Sequence, residues 1–349
     1  MKAMIAMSGG VDSSVAAALT RQNGYECIGA TMRLYSGEQS HIDSDIADAR
    51  AASERLGMPH YVLEAGGLFE HEVIENFVRT YERGQTPNPC IFCNRRLKFD
   101  YFYEQALALG CEKIVTGHYA RIEQRADGRW LLKKGLDSGK DQSYVLYMLS
   151  QQTLSHTLLP LGGMDKAQVR AMAEKLAFVN AHKHDSQDIC FIPDGDYGAF
   201  IRRYTGKDYP TGDFTDESGK VLGRHHGIID YTIGQRRGLG VAAGHPVYVC
   251  RKCMDTNTVV LSDNDRLFSS VLHADGVNLI DRDEITQPIR CKAKVRYRHT
   301  EQPCTVTQTD TDRIRVEFDE PQRAVTAGQA VVLYDEDIVI GGGTILPTA

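Results

Sequence analysis

Residues 1–14 read MKAMIAMSGGVDSS, and VAAALTR follows at 15–21. Lys2 to Met7 is a short apolar run of the kind that forms a buried strand. Ser8 to Ser14 is a glycine-containing turn, and from Val11 to Arg21 the apolar residues fall at helical spacing. A strand that breaks at glycines and opens directly into a helix aims successive backbone N–H groups at one point. The partial positive charge of the helix start adds to them, so the segment can cradle an anion. Hydroxyls of Ser8, Ser13 and Ser14 supply further donors, and Asp12 is placed to hold Mg²⁺ beside phosphates. The Gly-Lys-Ser/Thr of a Walker A loop is missing, which argues against γ-phosphate transfer. Read blandly, the segment is a strand-to-helix turn with no ligand.

Working outward, Tyr25 to Leu34 reads as a second strand and Ser44 to Leu56 as a helix with Ser44 as its N-cap. His60 to Leu63 is a third strand, Leu68 to Tyr81 and Leu97 to Leu109 are helices, and Lys113 to Thr116 is a fourth strand ending at Gly117-His118. Strands alternating with helices imply a parallel sheet covered on both faces, with ligands beyond the carboxyl ends of its strands. Ser8-Gly9-Gly10 and Gly117-His118 should both lie there. After about residue 205 the pattern changes. Gly212 to Arg224 is turn-rich. Short alternating runs follow at Pro246–Cys250, Thr258–Leu261, Ile289–Tyr297, Cys304–Gln308, Ile314–Phe318, Ala330–Leu333 and Ile338–Gly341. This half reads as all-β, with a barrel and a break near Ser269. The expected domains are 1–204, 205–268 and 269–349.

The 349 residues exceed one ordinary core, and 42% hydrophobic with 25% charged is the balance of a soluble globular chain. No apolar run approaches the ~18 residues of a membrane span. Met1 to Met7 meets the glycines too soon for a signal peptide, so the expected location is the cytoplasm. Nine cysteines in such a chain suggest buried thiols plus a few reactive or metal-binding ones. A net charge of -6 excludes a broadly basic nucleic-acid protein but not local basic patches, of which Arg95-Arg96-Leu97-Lys98, Arg236-Arg237 and Lys292 to Arg298 are candidates.

Three cysteine segments stand out: TPNPCIFCN at 86–94, SQDICFI at 186–192 and CRKC at 250–253. Pro87 and Pro89 should hold the first extended until the helix near Leu97, leaving Cys93 just before a helix start and close to Arg95, Arg96 and Lys98. A helix end and cations both lower a thiol pKa, so a reactive thiolate is expected at Cys93. Cys27 and Cys111 read as small buried hydrophobes. Cys90, Cys93, Cys250 and Cys253 resemble two zinc-binding pairs, but their separation is far too long for a zinc ribbon, and the second pair lies on a strand.

Taken together, SGGVDSS (8–14), TPNPCIFCN (86–94), GHYAR (117–121), GKDQSYVLY (139–147), SQDICFI (186–192), TIGQRRGLG (232–240) and AVTAGQAVVLY (324–334) make the chain resemble the bacterial tRNA-specific 2-thiouridylase family (MnmA). SGGVDSS looks like the pyrophosphate loop of the N-type ATP pyrophosphatases, whose fold is an adenine-nucleotide alpha-hydrolase-like (PP-loop) α/β domain. In the family this domain precedes a small middle domain and a C-terminal β-barrel. The resemblance implies ATP-dependent adenylation of the wobble uridine of tRNA, followed by sulfur transfer to C2. It assigns Cys93 as nucleophile and Cys190 as the persulfide carrier. Ala6, Met7, Ser8, Gly9, Gly10, Val11, Asp12 and Ser13, with Met32 and Gly117, would bind ATP. Asn88, Pro89 and Cys90 would touch the base. His118, Lys140, Asp141, Gln142, Tyr297, Arg298 and Gln329 would meet the tRNA, and a sulfur-carrier protein or cysteine desulfurase would be a partner. The expected substrates are tRNAs of the Lys, Glu and Gln type.

One departure matters: the best-studied family pattern has Asp where this chain has Cys90. Cys90, Cys93 and Cys190 could then hold a 4Fe-4S cluster with one open iron. A persulfide route and a cluster route therefore both stand at this stage. Two other functions compete. An amidating synthetase of the same ATP class would leave both cysteines without a task. A tRNA-binding protein without catalysis would not need an intact SGGVDSS.

Overall fold

The computed structural model describes residues 1–34, 39–183 and 189–347. Its first sheet is parallel, in the order β3-β2-β1-β4-β7, from β1 (Lys2–Ala6), β2 (Glu26–Arg33), β3 (His60–Glu64), β4 (Lys113–Val115) and β7 (Thr157–Leu158). Between β4 and β7 lies a hairpin, β5 (Ala120–Gln124) and β6 (Trp130–Lys134). Helix α1 (Val11–Gln22) follows β1 directly, and Ala3, Ile5, Val15, Ala16 and Ala17 are fully buried between sheet and helix, while Met4 faces the other side of the sheet toward Phe99 and Phe102. The strand order turns back between β1 and β4, which opens a crevice at their carboxyl ends. Residues 8–14 and 117–118 both border it.

Helix α2 (Gln39–Arg55) begins before Ser44, which therefore lies inside it rather than at its cap. Helix α3 (66–82) and helix α4 (89–108) each carry a π-helical stretch, Glu70–Ile74 and Cys93–Tyr101. Helix α4 starts at Pro89, not near Leu97, because proline at a first helical position loses no hydrogen bond and presets φ. Cys93 is consequently within a helix, not ahead of one. Three shorter helices follow: α5 (Gln151–His156), α6 (Lys166–Lys175) and α7 (Tyr197–Thr205).

The stretch read as turn-rich is a hairpin, β8 (Gly212–Thr215) with β9 (Val221–His225). With β10 (Tyr248–Cys253) and β11 (Thr258–Ser262) it makes a four-stranded sheet in the order β10-β11-β8-β9. This module does not own a separate core: Phe214, Val249 and Val259 pack with Phe69, Phe77 and Tyr81 of α3 through Phe191 and Phe200.

The C-terminal sheet comprises β12 (Phe268–Leu279), β13 (Ile289–Lys294), β14 (Gln302–Asp310), β15 (Arg313–Arg323), β16 (Ala330–Asp335) and β17 (Ile338–Ile345). Pairing of β12 with both β15 and β17 closes these six strands into a barrel. The expected break near Ser269 is thus the start of a strand. The β5–β6 hairpin joins this barrel sheet, not the parallel one, through Ile338 opposite Lys133. Tyr144 and Tyr147, fully buried, fill the seam between the barrel's Val332 and Tyr334 and the first domain's Phe99 and Phe102.

Candidate active site

Gly9 adopts φ +74, and a Cβ there would run into the Asp45 backbone, so only glycine lets α2 close over the loop. No side chain caps α1 at Gly10. Ser13 Oγ donates to Gly10 O (2.9 Å) and accepts from Ser8 N (3.2 Å), which folds the turn on itself. Asn180 Nδ2, from the far end of the domain, donates to Gly9 O (3.0 Å) and Ser14 Oγ (3.0 Å). Asp12 takes Lys166 Nζ on both oxygens (2.7 and 2.8 Å) and the Tyr119 hydroxyl on Oδ1 (2.8 Å). The expected magnesium ligand is thus a carboxylate already ion-paired in this structure. Gly117 abuts the loop: a Cβ on it would lie 2.9 Å from Asp12 C and 3.0 Å from Ser13 N.

The segment 86–90 is moored to the barrel. Thr86 N donates to Ala327 O (2.9 Å), and Gln329 Nε2 donates to Thr86 O and Pro87 O (both 3.0 Å). Helix α4 then presents Cys90 to solvent and buries Cys93. In its π-helical stretch the backbone bonds run i to i+5, so Cys93 and Lys98 share one face; α-helical winding would turn them apart. Cys190 is exposed, while the next residue is locked in an aromatic cluster: Phe191 lies 5.6 Å from Phe69, 5.3 Å from Phe77 and 5.2 Å from Phe200.

The three thiols feel one another and one cation. Burial raises Cys190 to about 12, Cys93 and Cys90 push it the same way, and Lys98 opposes them. Burial likewise raises Cys93 and Cys90, with Lys98 pulling both down. Cys90 and Cys190 are therefore accessible yet walled in, as on the sides of a cleft. The thiolate expected at Cys93 is corrected on this ground: desolvation outweighs the cation, and Cys93 lies about a full turn past the start of α4, where the helix-end field has faded. Arg96 is no help to the sulfur, since Glu72 holds it at 3.0 Å. Lys98 also acts on His118, whose ring is buried, bonded to Thr116 Oγ1 (2.7 Å) and held neutral well below its usual range by burial.

The remaining predicted contacts divide. Tyr297 and Arg298 are exposed; Tyr297 lies within electrostatic reach of Cys90 and donates to Asp141 O (3.2 Å). Asp141 spends its carboxylate on Gly135 N, Ser143 N and Ser143 Oγ, and Gln142 Oε1 accepts Tyr119 N, so both fix a turn. Lys140 and Met32 are half-buried, Met32 at the end of β2. Lys98 was visible only as part of a basic patch, and the partnerships of Asn180 and Lys166 had no local signal. Among the described residues no three His, Cys, Asp or Glu side chains form a metal-holding group. Cys250 donates to Val260 O within its own sheet.

Three family descriptions match in succession: a tRNA methyl transferase HUP domain at 1–194, a tRNA methyl transferase PRC-barrel domain at 198–263 and an aminomethyltransferase beta-barrel domain at 269–345. The tRNA-specific 2-thiouridylase MnmA of Clostridioides difficile is 46% identical over 352 residues, covering 99% of this chain and 98% of that one. That of Acetivibrio thermocellus is 48% identical over 354 residues, with 99% of each covered. The chain belongs to the tRNA-specific 2-thiouridylase family. A solved U34-tRNA thiolase, NcsA from Methanococcus maripaludis with its [4Fe-4S] cluster, aligns at TM-score 0.36 and 18% identity over 59% of this chain and 64% of that one, too remote to bear on the site. Membership makes the first domain an ATP-binding PP-loop domain. Among the described residues no helix is long and apolar enough to cross a membrane.

Proposed function

We infer that this chain is a tRNA-uridine 2-sulfurtransferase that spends ATP to place sulfur on C2 of the wobble uridine. One observation carries the reading: the loop and the thiols are linked through residues 117–118 and the single cation Lys98. Gly117 abuts Asp12 and Ser13, and the next residue, His118, lies within electrostatic reach of Lys98, as do Cys90, Cys93 and Cys190.

The uridine C2 carbonyl is a poor electrophile with a poor leaving group. Attack of its oxygen on the α-phosphorus breaks the α–β bridge, releases pyrophosphate and turns that oxygen into part of a leaving adenylate. The uncapped first turn of α1 stabilises the charge that develops. The terminal sulfur of a Cys190 persulfide attacks C2, and AMP departs with the oxygen. Cys93 sulfur then attacks Cys190 Sγ; the bond to the transferred sulfur breaks, a Cys93–Cys190 disulfide forms and the thiolated base is released. A thiol reductant resets the pair, and a sulfur-carrier protein or cysteine desulfurase reloads Cys190. The base must leave the anticodon stack to reach this cleft. The expected substrates are tRNAs of the Lys, Glu and Gln type, and the expected location is the cytoplasm.

Magnesium would neutralise the departing pyrophosphate; Asp12 is the carboxylate that would meet it, with Lys166 turned to the phosphates. The three cysteines do not stand as a metal-holding group, so no step is routed through an iron–sulfur cluster. The test is tRNA-dependent exchange of labelled pyrophosphate into ATP alongside mass-spectrometric detection of 2-thiouridine. Cys93→Ser and Cys190→Ser should keep exchange and lose thiolation; near-normal thiolation by either defeats its assigned role. Anaerobically purified Cys90→Ser decides the cluster: full activity in iron-free protein excludes it, whereas inactivity with loss of iron defeats the persulfide route.

A further inference from the structure

Residues 232–247, which include the TIGQRRGLG motif, have no strand or helix over sixteen positions. Loops this long are uncommon inside a compact module and usually serve a purpose. The loop is not slack. Gly234 N donates to Val249 O (2.8 Å) and Val249 N to Gln235 O (3.0 Å). Gln235 closes the turn with its side chain, accepting from Thr232 N (3.0 Å) and donating to Arg237 O (3.1 Å). Leu239 and Val247 are buried and anchor the rest. Between these anchors the chain rims an open concavity of about 720 Å³, lined by Arg236 and His245 among glycines and apolar residues. Gly240 and Gly244 have positive φ (+66 and +76) with nothing within 4 Å of where a Cβ would stand. Glycine there serves the backbone path, leaving main chain bare toward solvent.

The loop sits on the same mooring as the thiol helix. A Cβ on Gly234 would lie 2.9 Å from the Ala324 Cβ, and Arg296 Nη2 donates to Ala324 O (2.7 Å) and Thr326 Oγ1 (2.8 Å) and reaches Ile233 O (3.5 Å). The next residues of that barrel turn, Ala327 and Gln329, hold Thr86 and Pro87 just ahead of Cys90. Arg296 also directly precedes Tyr297, the barrel residue that feels the charge of Cys90. Arg236 and Arg237 are exposed, and among the described residues no carboxylate lies within ion-pair distance of either. The loop's own stretch contains no Asp or Glu.

We propose that residues 232–247 form a phosphate clamp for the tRNA backbone, with Arg236 and Arg237 each neutralising one phosphate close to the extruded base. The proposal rests on the tRNA reading above. Two exposed guanidinium groups on a fixed turn, beside bare backbone and with no carboxylate partner among the described residues, fit two adjacent phosphates. An acidic face of a sulfur-donor protein is the rival occupant, and the test separates the two.

Binding of unmodified tRNA transcript is measured by anisotropy across a salt series for wild type, Arg236→Gln/Arg237→Gln and Arg236→Lys/Arg237→Lys. Each phosphate contact contributes about 0.7–0.9 to the slope of log affinity against log salt. The glutamine pair should therefore flatten the slope by about 1.4–1.8 and weaken binding, while the lysine pair keeps most of it. Stabilisation by ATP in a thermal melt, which does not involve the loop, should be unchanged in both. An unchanged slope overturns the clamp, and so does loss of persulfide loading from a desulfurase with tRNA binding intact. Absence of saturable tRNA binding by wild type would instead sink the tRNA reading itself.

Discussion

Gly117→Ala tests how tightly the nucleotide loop and the thiol side of the cleft are joined. The added Cβ would stand 2.9 Å from Asp12 C, 3.0 Å from Ser13 N and 3.1 Å from Asp12 Cβ. Relaxed carbon contacts sit at about 3.5–4.0 Å, so roughly half an ångström or more must be found. The obstructing atoms are mostly backbone in the first turn of α1, which Asn180 pins at Gly9 and Ser14 and Lys166 pins at Asp12. Only backbone movement relieves the clash, at about 1–3 kcal/mol for overpacking. That corresponds to a fall of several degrees in melting temperature for the folded chain. The movement opens the crevice between α-phosphate and cleft, and since a misplacement of about 1 Å can cost 10²-fold, thiolation should drop by about 10-fold or more. Single-turnover thiolation and pyrophosphate exchange should fall together, because the loop moves relative to both partners. Gly163→Ala is the control: nothing lies within 4 Å of its Cβ position and its φ is ordinary. Wild-type rates in Gly117→Ala would refute the close packing, and lost stability with intact rates would make Gly117 a purely architectural residue.

Asn180→Ala removes both bonds to the loop, leaving Gly9 O without its donor; about 1–3 kcal/mol and a raised KM for ATP should follow, with tRNA affinity unchanged in a binding assay. Gln329→Ala frees the Thr86 and Pro87 carbonyls and should slow thiolation more than it weakens ATP binding, as read by thiolation rate against ATP-induced stabilisation. Stability should also fall with pH below about 6.5. His118 and His60 are both held below the usual histidine range by burial, so the unfolded chain binds the extra protons and acid favours unfolding. At His60 the reason is visible: Thr31 Oγ1 donates to Met7 O (2.6 Å), so it accepts from His60 Nε2–H (2.9 Å), and the buried Nδ1 has no partner for a second proton. Denaturant melts between pH 8 and 5.5 check this; stability that rises on acidification would contradict it.

The sequence reveals what is local. SGGVDSS carries its own strand-to-helix geometry, and the crevice between β1 and β4 follows from alternating strands and helices. The barrel strands show their period of two, as in β15, where Ile314, Val316 and Phe318 are buried and Arg315 and Glu317 between them are not. What escaped depends on partners far along the chain. The β5–β6 hairpin reads as part of the α/β half until β17, some two hundred residues later, pairs with it. Pro87 and Pro89 suggest an extended arm, yet Pro89 is as well suited to begin a helix, and the barrel's Gln329 settles which by fixing the two carbonyls before it.

The thiol chemistry shows the limit most clearly. Nearby cations in sequence suggest an acidic Cys93, but Arg96 is spent on Glu72 from another helix, leaving Lys98 to act alone among sulfurs that burial has made reluctant to ionise. Charge effects fall off with distance in space, not along the chain, and desolvation is set by whatever packs overhead. Here that is a middle module which shares its core with α3 and anchors the residue after Cys190 in an aromatic cluster. The resting thiols are thus kept protonated by the same packing that gathers them, so their reactivity must come from completing the cleft: sulfur delivered to Cys190, and a base already activated by ATP.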